Sequence, residues 1–458
     1  MNKYFGTDGI RGVVGKSLMT PDFLVKLGLA AGIVLKKTNP KARVVIGMDT
    51  RRSGPMIQSA LEAGLSAMGV DIYLLGIMPT PGVAYLTRAF HADAGIVISA
   101  SHNLHQDNGI KFFGNNGAKL SDEMEFEIEQ AIEKLMPHNL VLNSSFEGFV
   151  TPNEIGVVRE VNDAAGRYIE FCKATAPYFF SLSNFKIVLD CAHGATYHIA
   201  PKVFHELGAE VELIGVAPDG LNINLGVGST DTKLLQKKVV EMGADLGIAL
   251  DGDGDRVILV DHEGQRVDGD QIVYLLAQDC QEAGVLKTGV VGTHMSNFGL
   301  QKALEKLNIP FVRTSVGDRH VMMELKKRQW LLGGESSGHI IWLDSTTTGD
   351  GIVAALQVLS VIKKRQKSLK ECLCGMTKYP QVLINLKTNK KLSVEEIDKA
   401  KTIGNTAASK MLGSGRVLIR PSGTEPLLRV MVEGENLIEV NSLAEYLAKE
   451  ITRVCFLD

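Results

Sequence analysis

The sequence lacks the features that would direct it to nucleic acid or to a membrane. No block of like charge stands out among its 49 basic and 52 acidic residues, and the formal net charge is −3. We therefore expect neither nucleic acid nor an anionic membrane as a partner. The longest strongly apolar helical stretch, residues 352–362, is far shorter than the roughly 20 residues that a membrane span needs. The N-terminus, Met1 to Gly6, has no apolar signal core.

Cysteine is scarce, with six residues scattered along 458. Only Cys372 and Cys374 lie close together in the sequence, and no second pair completes a zinc pattern. This distribution favours buried, reduced thiols. Reduced thiols are typical of the cytoplasm, which is where we expect the protein to act.

The chain is too long for a single hydrophobic core and indicates three or four domains. Strands predicted at 43–47, 71–75 and 94–98, with a helix at 55–68, follow a βαβ rhythm. That rhythm restarts near residue 185 and again after residue 256. From about residue 375 the order becomes strand, helix, strand, turn, strand, helix.

This organisation predicts the α/β fold class with a C-terminal α+β addition. Three similar mixed α/β domains are expected over residues 1–150, 151–255 and 256–370. A small α+β domain is expected over residues 371–458. Four loops, one in each of these domains, carry chemistry-bearing residues.

The most specific loop reads Asp251-Gly-Asp-Gly-Asp-Arg256 between two apolar runs. Three carboxylates this close repel one another, and a bound divalent cation is the simplest way to remove the repulsion. Oxygen ligands suit Mg²⁺ or Ca²⁺, and the glycines let the backbone wrap tightly around an ion. An EF-hand is excluded, because its sixth and twelfth positions would be Arg256 and His262 instead of Gly and Glu.

A second loop, Ser99-Ala-Ser-His-Asn103, ends a buried strand, and Lys111 follows shortly after. Ligands bind at strand ends in open α/β sheets, and a serine hydroxyl free of the ladder there is a candidate nucleophile. Chemistry alone does not choose between Ser99 and Ser101, which face the same side of a strand. A polar turn that caps the next helix is the alternative.

The third and fourth loops offer polar groups of another kind. Residues 332–339 place Glu335, Ser337 and His339 in a glycine-rich loop that suits sugar hydroxyls, and His339 could also act as a general acid or base. Residues 417–432 place a short loop between two strands. Its phosphate-binding candidates are Arg420, Ser422, Gly423, Thr424 and Arg429. An incidental polar turn and an ordinary hairpin are the alternatives.

The order of the four loops is more informative than any one of them. A nucleophile, a metal loop, a hydroxyl-binding loop and a phosphate cradle together indicate phosphoryl transfer on a phosphorylated polyol.

The chain resembles the α-D-phosphohexomutases over essentially its whole length. The motifs that carry the resemblance are Phe5-Gly-Thr-Asp-Gly-Ile-Arg-Gly12, Asp49-Thr-Arg-Arg-Ser-Gly54, Ser99-Ala-Ser-His-Asn103, Asp107-Asn-Gly-Ile-Lys111, Asp251-Gly-Asp-Gly-Asp-Arg256, Gly333-Gly-Glu-Ser-Ser-Gly-His339 and Arg420-Pro-Ser-Gly-Thr-Glu-Pro426. Pro218-Asp-Gly-Leu-Asn-Ile-Asn224 and Val316-Gly-Asp-Arg319 favour the branch of the family that acts on glucosamine phosphates.

The resemblance implies four domains around a central cleft and a phosphoserine at Ser101. It implies one Mg²⁺ per chain, held by Asp251, Asp253 and Asp255 with an oxygen of that phosphoserine. It also implies a transfer site lined by Arg11, His102, Lys111 and Arg256. Lys111, His102 and His339 all remain candidates for the general base.

The implied reaction converts glucosamine 6-phosphate reversibly to glucosamine 1-phosphate through a 1,6-bisphosphate, and it supplies amino-sugar nucleotide for cell-wall synthesis. The implied contacts are Glu335 and Ser337 with the sugar, and the residues of the fourth loop with the non-reacting phosphate. The resemblance leaves room for a homodimer and for a kinase or autophosphorylation that first activates the enzyme.

Three other functions are alternatives to this one. The nearest is the same mechanism on mannose or glucose phosphates, because Ser336 stands where the family often has Gln or Met beside the sugar contacts. A Mg²⁺-dependent phosphatase would release inorganic phosphate, and recognition of two phosphate ends argues against it. A sugar-phosphate sensor without turnover would not need Ser101, the aspartates and Arg256 together.

Overall fold

The computed structural model describes residues 3–136, 148–286, 288–388, 392–411, 413–421 and 427–455. Four sheets follow one another along the chain, and helices pack against each of them. We call the units built on these sheets domains I to IV. Within the described ranges, no helix is both long enough and apolar enough to cross a membrane.

Domain I contains a six-stranded sheet in the order β1-β5-β4-β2-β3-β6. Its strands are β1 (Ile10–Val13), β2 (Arg43–Met48), β3 (Asp71–Ile77), β4 (Ala94–Ile98), β5 (Asp107–Gly114) and β6 (Val158–Glu160). Its helices are α1 (Pro21–Thr38), α2 (Gly54–Ala67), α3 (Thr80–Ala89) and α4 (Asp122–Leu135). The strands β2, β3, β4 and β6 are parallel. At one edge β5 pairs antiparallel with β4, and β1 pairs antiparallel with β5.

Domain II repeats this plan in a five-stranded sheet of order β11-β10-β9-β7-β8. A short 3₁₀ helix, Pro152–Glu154, precedes it, and its strands are β7 (Lys186–Asp190), β8 (Glu210–Ile214), β9 (Leu246–Leu250), β10 (Val257–Asp261) and β11 (Arg266–Val267). Its helices are α5 (Ala164–Ala174), α6 (Ala200–Glu206) and α7 (Lys233–Met242).

Domain III has a four-stranded sheet of order β13-β12-β14-β15. Its strands are β12 (Val290–Thr293), β13 (Phe311–Thr314), β14 (Leu332–Gly334) and β15 (Ile340–Trp342). Its helices are α8 (Gly269–Glu282), α9 (Phe298–Lys306), α10 (Asp318–Arg328), α11 (Gly351–Arg365) and α12 (Leu369–Cys372).

Domain IV is an antiparallel sheet of order β16-β18-β17 with two helices. Its elements are β16 (Gln381–Lys387), α13 (Val394–Lys410), β17 (Gly415–Pro421), β18 (Leu427–Gly434) and α14 (Leu437–Cys455). This order agrees with the order of elements read from the sequence.

The first three domains share one topology. In each, three parallel strands are followed by an antiparallel strand: β3-β2-β4-β5 in domain I, β8-β7-β9-β10 in domain II and β13-β12-β14-β15 in domain III. The predicted fold of three similar mixed α/β domains plus a C-terminal α+β domain is therefore confirmed.

The sheets end later than the predicted domain boundaries. The strand β6 pairs with β3, so the sheet of domain I reaches residue 160 instead of 150. The strand β10 pairs with β9, so the sheet of domain II reaches residue 267 instead of 255. In both places a later strand pairs with a sheet whose βαβ units are already complete. The alternation of strands and helices in the sequence does not predict such a pairing.

The hydrophobic core is continuous through three domains and separate in the fourth. The largest buried cluster runs from Val45 of domain I to Met376 beyond α12. Domain IV has its own cluster between α13, α14 and the sheet. Its attachment to domain III is polar: the buried carboxylate of Glu433 accepts hydrogen bonds from Arg416 and from Asn297 of domain III.

We expect Glu433→Ala to lower the stability of the protein by about 3 kcal/mol, because it leaves the partly buried charge of Arg416 without its carboxylate and removes one of the two acceptors of the Asn297 amide. Urea unfolding followed by circular dichroism measures the loss. The matched control is Glu435→Ala, which removes an exposed bond to the Tyr379 hydroxyl, with an expected loss under about 1 kcal/mol. Equal losses in the two variants would contradict this view of the junction.

Candidate phosphotransfer site

Three of the four predicted loops occupy equivalent places in the fold. The serine loop joins β4 to β5, the aspartate loop joins β9 to β10, and the loop of Glu335 and His339 joins β14 to β15. Each lies at the carboxyl end of the last parallel strand, where open α/β sheets bind ligands. The repeated topology thus places one candidate loop of each of domains I to III at a corresponding strand end.

The aspartate loop forms a compact cluster of carboxylates. Asp251, Asp253 and Asp255 are all buried, and one oxygen from each lies within 4.8 Å of the others. Gly254 has φ +72°, a left-handed conformation that glycine adopts readily. At Gly252, a Cβ would come within 2.5 Å of the Ser101 carbonyl oxygen. The glycines of the motif therefore serve loop curvature and close approach to domain I.

This cluster fits a hard divalent cation. The Oδ1 atom of Asp253 is buried and has no hydrogen-bond partner among the described residues. Burial, together with the charges of Asp255 and Asp253, raises the pKa of Asp251 well above its usual range. A cation held by these oxygens would remove both penalties.

A lysine also neutralises part of the cluster. The Nζ atom of Lys111, on β5, lies 2.7 Å from Asp253 Oδ2 and 3.1 Å from Asp255 Oδ2. Burial opposes the charge of Lys111, but Asp253, Asp255 and Asp8 outweigh it and raise the pKa of the lysine. The sequence predicts a divalent cation beside these carboxylates, and the structure adds this buried ammonium group.

Ser101 is the serine that faces the carboxylates. Its Oγ donates to Asp251 Oδ2 at 2.6 Å, and the residue is buried with φ +52°. Left-handed backbone is costly for residues other than Gly, Asn and Asp, and it persists only where surrounding contacts hold it. Ser101 thus joins the serine loop of domain I to the aspartate loop of domain II.

Ser99 has a different partner. Its hydroxyl donates to the buried carboxylate of Asp49 and accepts the backbone N–H of Ser101 at 2.9 Å. The Ser99 hydroxyl therefore acts as a donor and as an acceptor within domain I. The geometry therefore separates two serines that the sequence alone left equivalent.

The residues predicted to line the transfer site lie beside Ser101 or beside the groups around the carboxylates. The Nδ1 atom of His102 lies 3.4 Å from Ser101 Oγ and 3.0 Å from Arg256 Nη1. Arg11, on β1, pairs with Asp8, whose carboxylate also lies 3.7 Å from Lys111 Nζ. Burial and the charges of Arg256 and Arg11 lower the pKa of His102 to about 4.

The third loop contributes a buried histidine. His339 lies with Nδ1 3.7 Å from Asp255 Oδ1 and Nε2 3.6 Å from Asp318 Oδ2. Burial would lower the pKa of His339, but Asp255, Asp318 and Glu335 outweigh it and raise the pKa to about 9. Of the three candidate bases, His102 is uncharged at neutral pH in this arrangement, whereas Lys111 and His339 are cationic.

The two predicted sugar contacts differ in exposure. Glu335 is buried, and its Oε1 accepts the backbone N–H of Gly317 at 3.0 Å. Ser337 is only half-buried. The same loop therefore ties β14 to the start of α10 through Glu335 and leaves Ser337 more accessible.

The predicted phosphate cradle lies on domain IV and is described only in part. Arg420 on β17 stands directly opposite Arg429 on β18. Burial and the charge of Arg429 lower the pKa of Arg420. Like charges opposite each other on paired strands are unfavourable, and an anionic ligand would relieve them. Ser422, Gly423 and Thr424 lie outside the described residues.

Sequence reasoning assigned no role to two groups that the structure places in this site. Lys119 bridges Asp8 of domain I and Asp318 of domain III at 2.7 and 2.8 Å. Thr80 donates its hydroxyl to Asp253 Oδ2. Asp8 and Asp318 belong to motifs quoted above for the family resemblance. Those motifs were the only indication in the sequence that this part of the site exists. Lys119 and Thr80 lie outside those motifs.

Comparison with known families covers all four domains. The models of the phosphoglucomutase/phosphomannomutase family match residues 2–138 (domain I, alpha/beta/alpha), 167–264 (domain II, alpha/beta/alpha), 268–379 (domain III, alpha/beta/alpha) and 383–450 (the C-terminal domain). The chain belongs to this family of phosphohexomutases.

Proteins of similar sequence belong to one branch of this family. The chain is 56% identical over 453 residues to the phosphoglucosamine mutase of Legionella pneumophila (strain Paris), covering 99% of this chain and 97% of that protein. It is 55% identical over 454 residues to the phosphoglucosamine mutase of Pseudomonas putida (strain F1), covering 99% of both. The resemblance seen in the motifs, down to the glucosamine branch, is confirmed.

Solved structures share the fold at low identity. A phosphoglucomutase/phosphomannomutase family protein from Burkholderia thailandensis has a TM-score of 0.80 at 22% identity, over 99% of both chains. The Aspergillus fumigatus N-acetylphosphoglucosamine mutase, in complex with GlcNAc-6P and magnesium, has a TM-score of 0.64 at 18% identity, over 99% of this chain and 96% of that one.

Proposed function

We propose that the protein interconverts glucosamine 6-phosphate and glucosamine 1-phosphate. The observation that carries this proposal is the contact of the buried Ser101 hydroxyl with Asp251 at 2.6 Å, which joins a nucleophile to the carboxylate loop. Relatives at 55–56% identity over nearly the whole chain are phosphoglucosamine mutases, which favours the amino sugar over the mannose and glucose phosphates considered above.

The reaction is an isomerisation by two phosphoryl transfers. Phospho-Ser101 gives its phosphoryl group to the free hydroxyl of the bound sugar phosphate, so that the P–O bond to serine breaks, a P–O bond to the sugar forms and the hydroxyl proton leaves. The resulting 1,6-bisphosphate turns around in the cleft. Its other phosphoryl group then returns to Ser101, and the isomeric monophosphate is released.

The residues around Ser101 provide charge and position, which dominate catalysis of such transfers. We assign Arg11, His102, Lys111, Arg256 and His339 to the transfer site, where each touches Ser101, the aspartates or a group beside them. Lys111, His102 and His339 are the candidates for the group that takes the sugar proton.

Asp251, Asp253 and Asp255 would hold one Mg²⁺ per chain, together with an oxygen of phospho-Ser101. When bound, the ion would neutralise charge on the phosphoryl group. The magnesium in the A. fumigatus relative supports a metal for the family. In the unphosphorylated protein, the Ser101 hydroxyl donates to Asp251 and so lies beside the carboxylate cluster.

Substrate recognition is assigned to two further loops. Glu335 and Ser337 would bind sugar hydroxyls, and Arg420, Ser422, Gly423, Thr424 and Arg429 would bind the phosphate that is not being transferred. The paired arginines on β17 and β18 support this assignment. A homodimer and an initial phosphorylation by a kinase or by autophosphorylation stay predictions.

A product assay tests the function. With glucosamine 6-phosphate, Mg²⁺ and a trace of 1,6-bisphosphate, we expect glucosamine 1-phosphate to form at least about tenfold faster, in kcat/KM, than the corresponding product from glucose or mannose 6-phosphate. Faster turnover of either hydroxy sugar would assign the enzyme to the alternative substrate class. Release of inorganic phosphate in place of the isomer would indicate a phosphatase.

A further inference from the structure

Both backbone groups of Ser101 are held by side chains. Its N–H donates to Ser99 Oγ at 2.9 Å. Its carbonyl oxygen accepts from Arg51 Nη2 at 3.1 Å and from Asn224 Nδ2 at 2.9 Å. With both ends of the residue fixed at φ +52°, only rotation about χ1 remains to move Oγ. These bonds therefore decide where the nucleophile lies.

Arg51 holds the serine loop from within domain I. It is buried, and its Nε pairs with Asp49 at 2.8 Å. Its Nη atoms donate to four carbonyl groups of the loop, those of Ser101, Asn103, Leu104 and Asp107. A planar fork with five donors is suited to binding several carbonyl groups at once, and lysine could not reproduce it.

Asn224 holds the same loop from domain II. Its Nδ2 donates to the carbonyl oxygens of both Ser101 and Asn103, at 2.9 and 3.0 Å. Asn224 is buried with φ +60°, a conformation that asparagine tolerates. Gly252 lies beneath this bond, since a Cβ there would meet both the Ser101 carbonyl and Asn224 Nδ2. The backbone of the serine is thus tied to the domain that carries the aspartates.

We propose that Arg51 and Asn224 are positioning residues of the phosphoryl transfer, which clamp the Ser101 carbonyl so that the serine oxygen stays aligned with the carboxylate loop. The clamp crosses the boundary between domains I and II, so the alignment of the nucleophile depends on how the two domains are docked. This inference rests on the proposed function, because it concerns the efficiency of that transfer.

Asn224 is the residue to test, because it makes fewer bonds than the deeply buried Arg51. Asn224→Gly removes both donors and keeps a left-handed backbone. Asn224→Asp keeps the shape and replaces the donor by an acceptor. The matched control is Asn222→Ala, in the same segment, where the side chain bonds only to Ala217 and Asp219 among the described contacts.

The measurement is kcat per phosphorylated enzyme, with the phosphoserine content taken from intact mass and the melting temperature recorded for each variant. We expect both Asn224 variants to lose roughly 10- to 100-fold in this normalised kcat while KM changes less than about threefold, since misplacement of reacting atoms mainly slows the chemical step. The Asn222 variant should keep the wild-type value.

Normalisation separates positioning from a merely structural role. If Asn224→Gly lowers the melting temperature or the phosphoserine content but keeps the wild-type kcat per phosphorylated enzyme, the positioning proposal is overturned. Asn224→Asp gives an independent reading if the glycine variant does not fold. If the wild-type protein itself yields no glucosamine 1-phosphate, that result contradicts the proposed function and leaves the contacts of Arg51 and Asn224 with the Ser101 carbonyl unchanged.

Discussion

Replacement of Ser101 by alanine should reduce mutase activity by roughly 10⁴-fold or more, with the fold intact. The hydroxyl is the group that carries the phosphoryl in the proposed reaction, and no other side chain can replace a lost covalent nucleophile. Alanine removes one hydroxyl, and its cost in left-handed backbone is similar to that of serine. The variant should therefore melt close to the wild-type temperature. Coupled product assays and a thermal melt measure the two effects.

Ser99→Ala is the matched variant for this experiment. It removes the bonds to Asp49 and to the Ser101 N–H, and thus loosens the loop without removing the oxygen that faces Asp251. We expect this variant to acquire phosphate at Ser101 and to retain measurable turnover. Full activity in Ser101→Ala, or phosphate found at residue 99 in the wild-type protein, would contradict the assignment of the nucleophile.

The second large effect is expected from Asp253→Asn. This change preserves the shape of the side chain and removes one anionic oxygen ligand from the cluster. We expect the Mg²⁺ concentration for half-maximal activity to rise at least about tenfold. The affinity of the phosphorylated protein for Mg²⁺ or Mn²⁺, measured by calorimetry, should fall by the same factor.

Asp190→Asn provides the control for the metal experiment. Asp190 is also a buried carboxylate at a strand end of domain II, where it accepts the N–H groups of Ala192 and Gly228. It lies outside the carboxylate cluster, so its variant should keep the wild-type metal dependence. If Asp253→Asn binds Mg²⁺ as tightly as the wild-type protein does, the aspartate loop is not the metal site.

The regular elements were predictable because they depend on local patterns. The strand Ala94–Ile98 coincides with the segment predicted from the sequence, since it is a short β-rich run bounded by polar residues. The end of domain II was not predictable in this way. The strand β10 returns antiparallel to β9 directly after the aspartate loop, and that return depends on pairing and not on local sequence.

Candidate residues of the site could be named from the sequence, whereas the contacts between them could not. Ser99 and Ser101 have the same chemistry and the same position relative to the strand. Their roles differ because Asp49 and Asp251, 50 and 150 residues away, reach one each.

Transfer of the phosphoryl group from Ser101 to the sugar is the central claim, and a single-turnover experiment tests it most directly. The enzyme is labelled with isotopic phosphate, the label is mapped to Ser101 by peptide mass spectrometry, and glucosamine 6-phosphate is added with Mg²⁺. We expect the label to leave Ser101 at a rate no slower than kcat and to appear in sugar phosphates. Label that stays on the protein during turnover, or that leaves as inorganic phosphate, would contradict the claim.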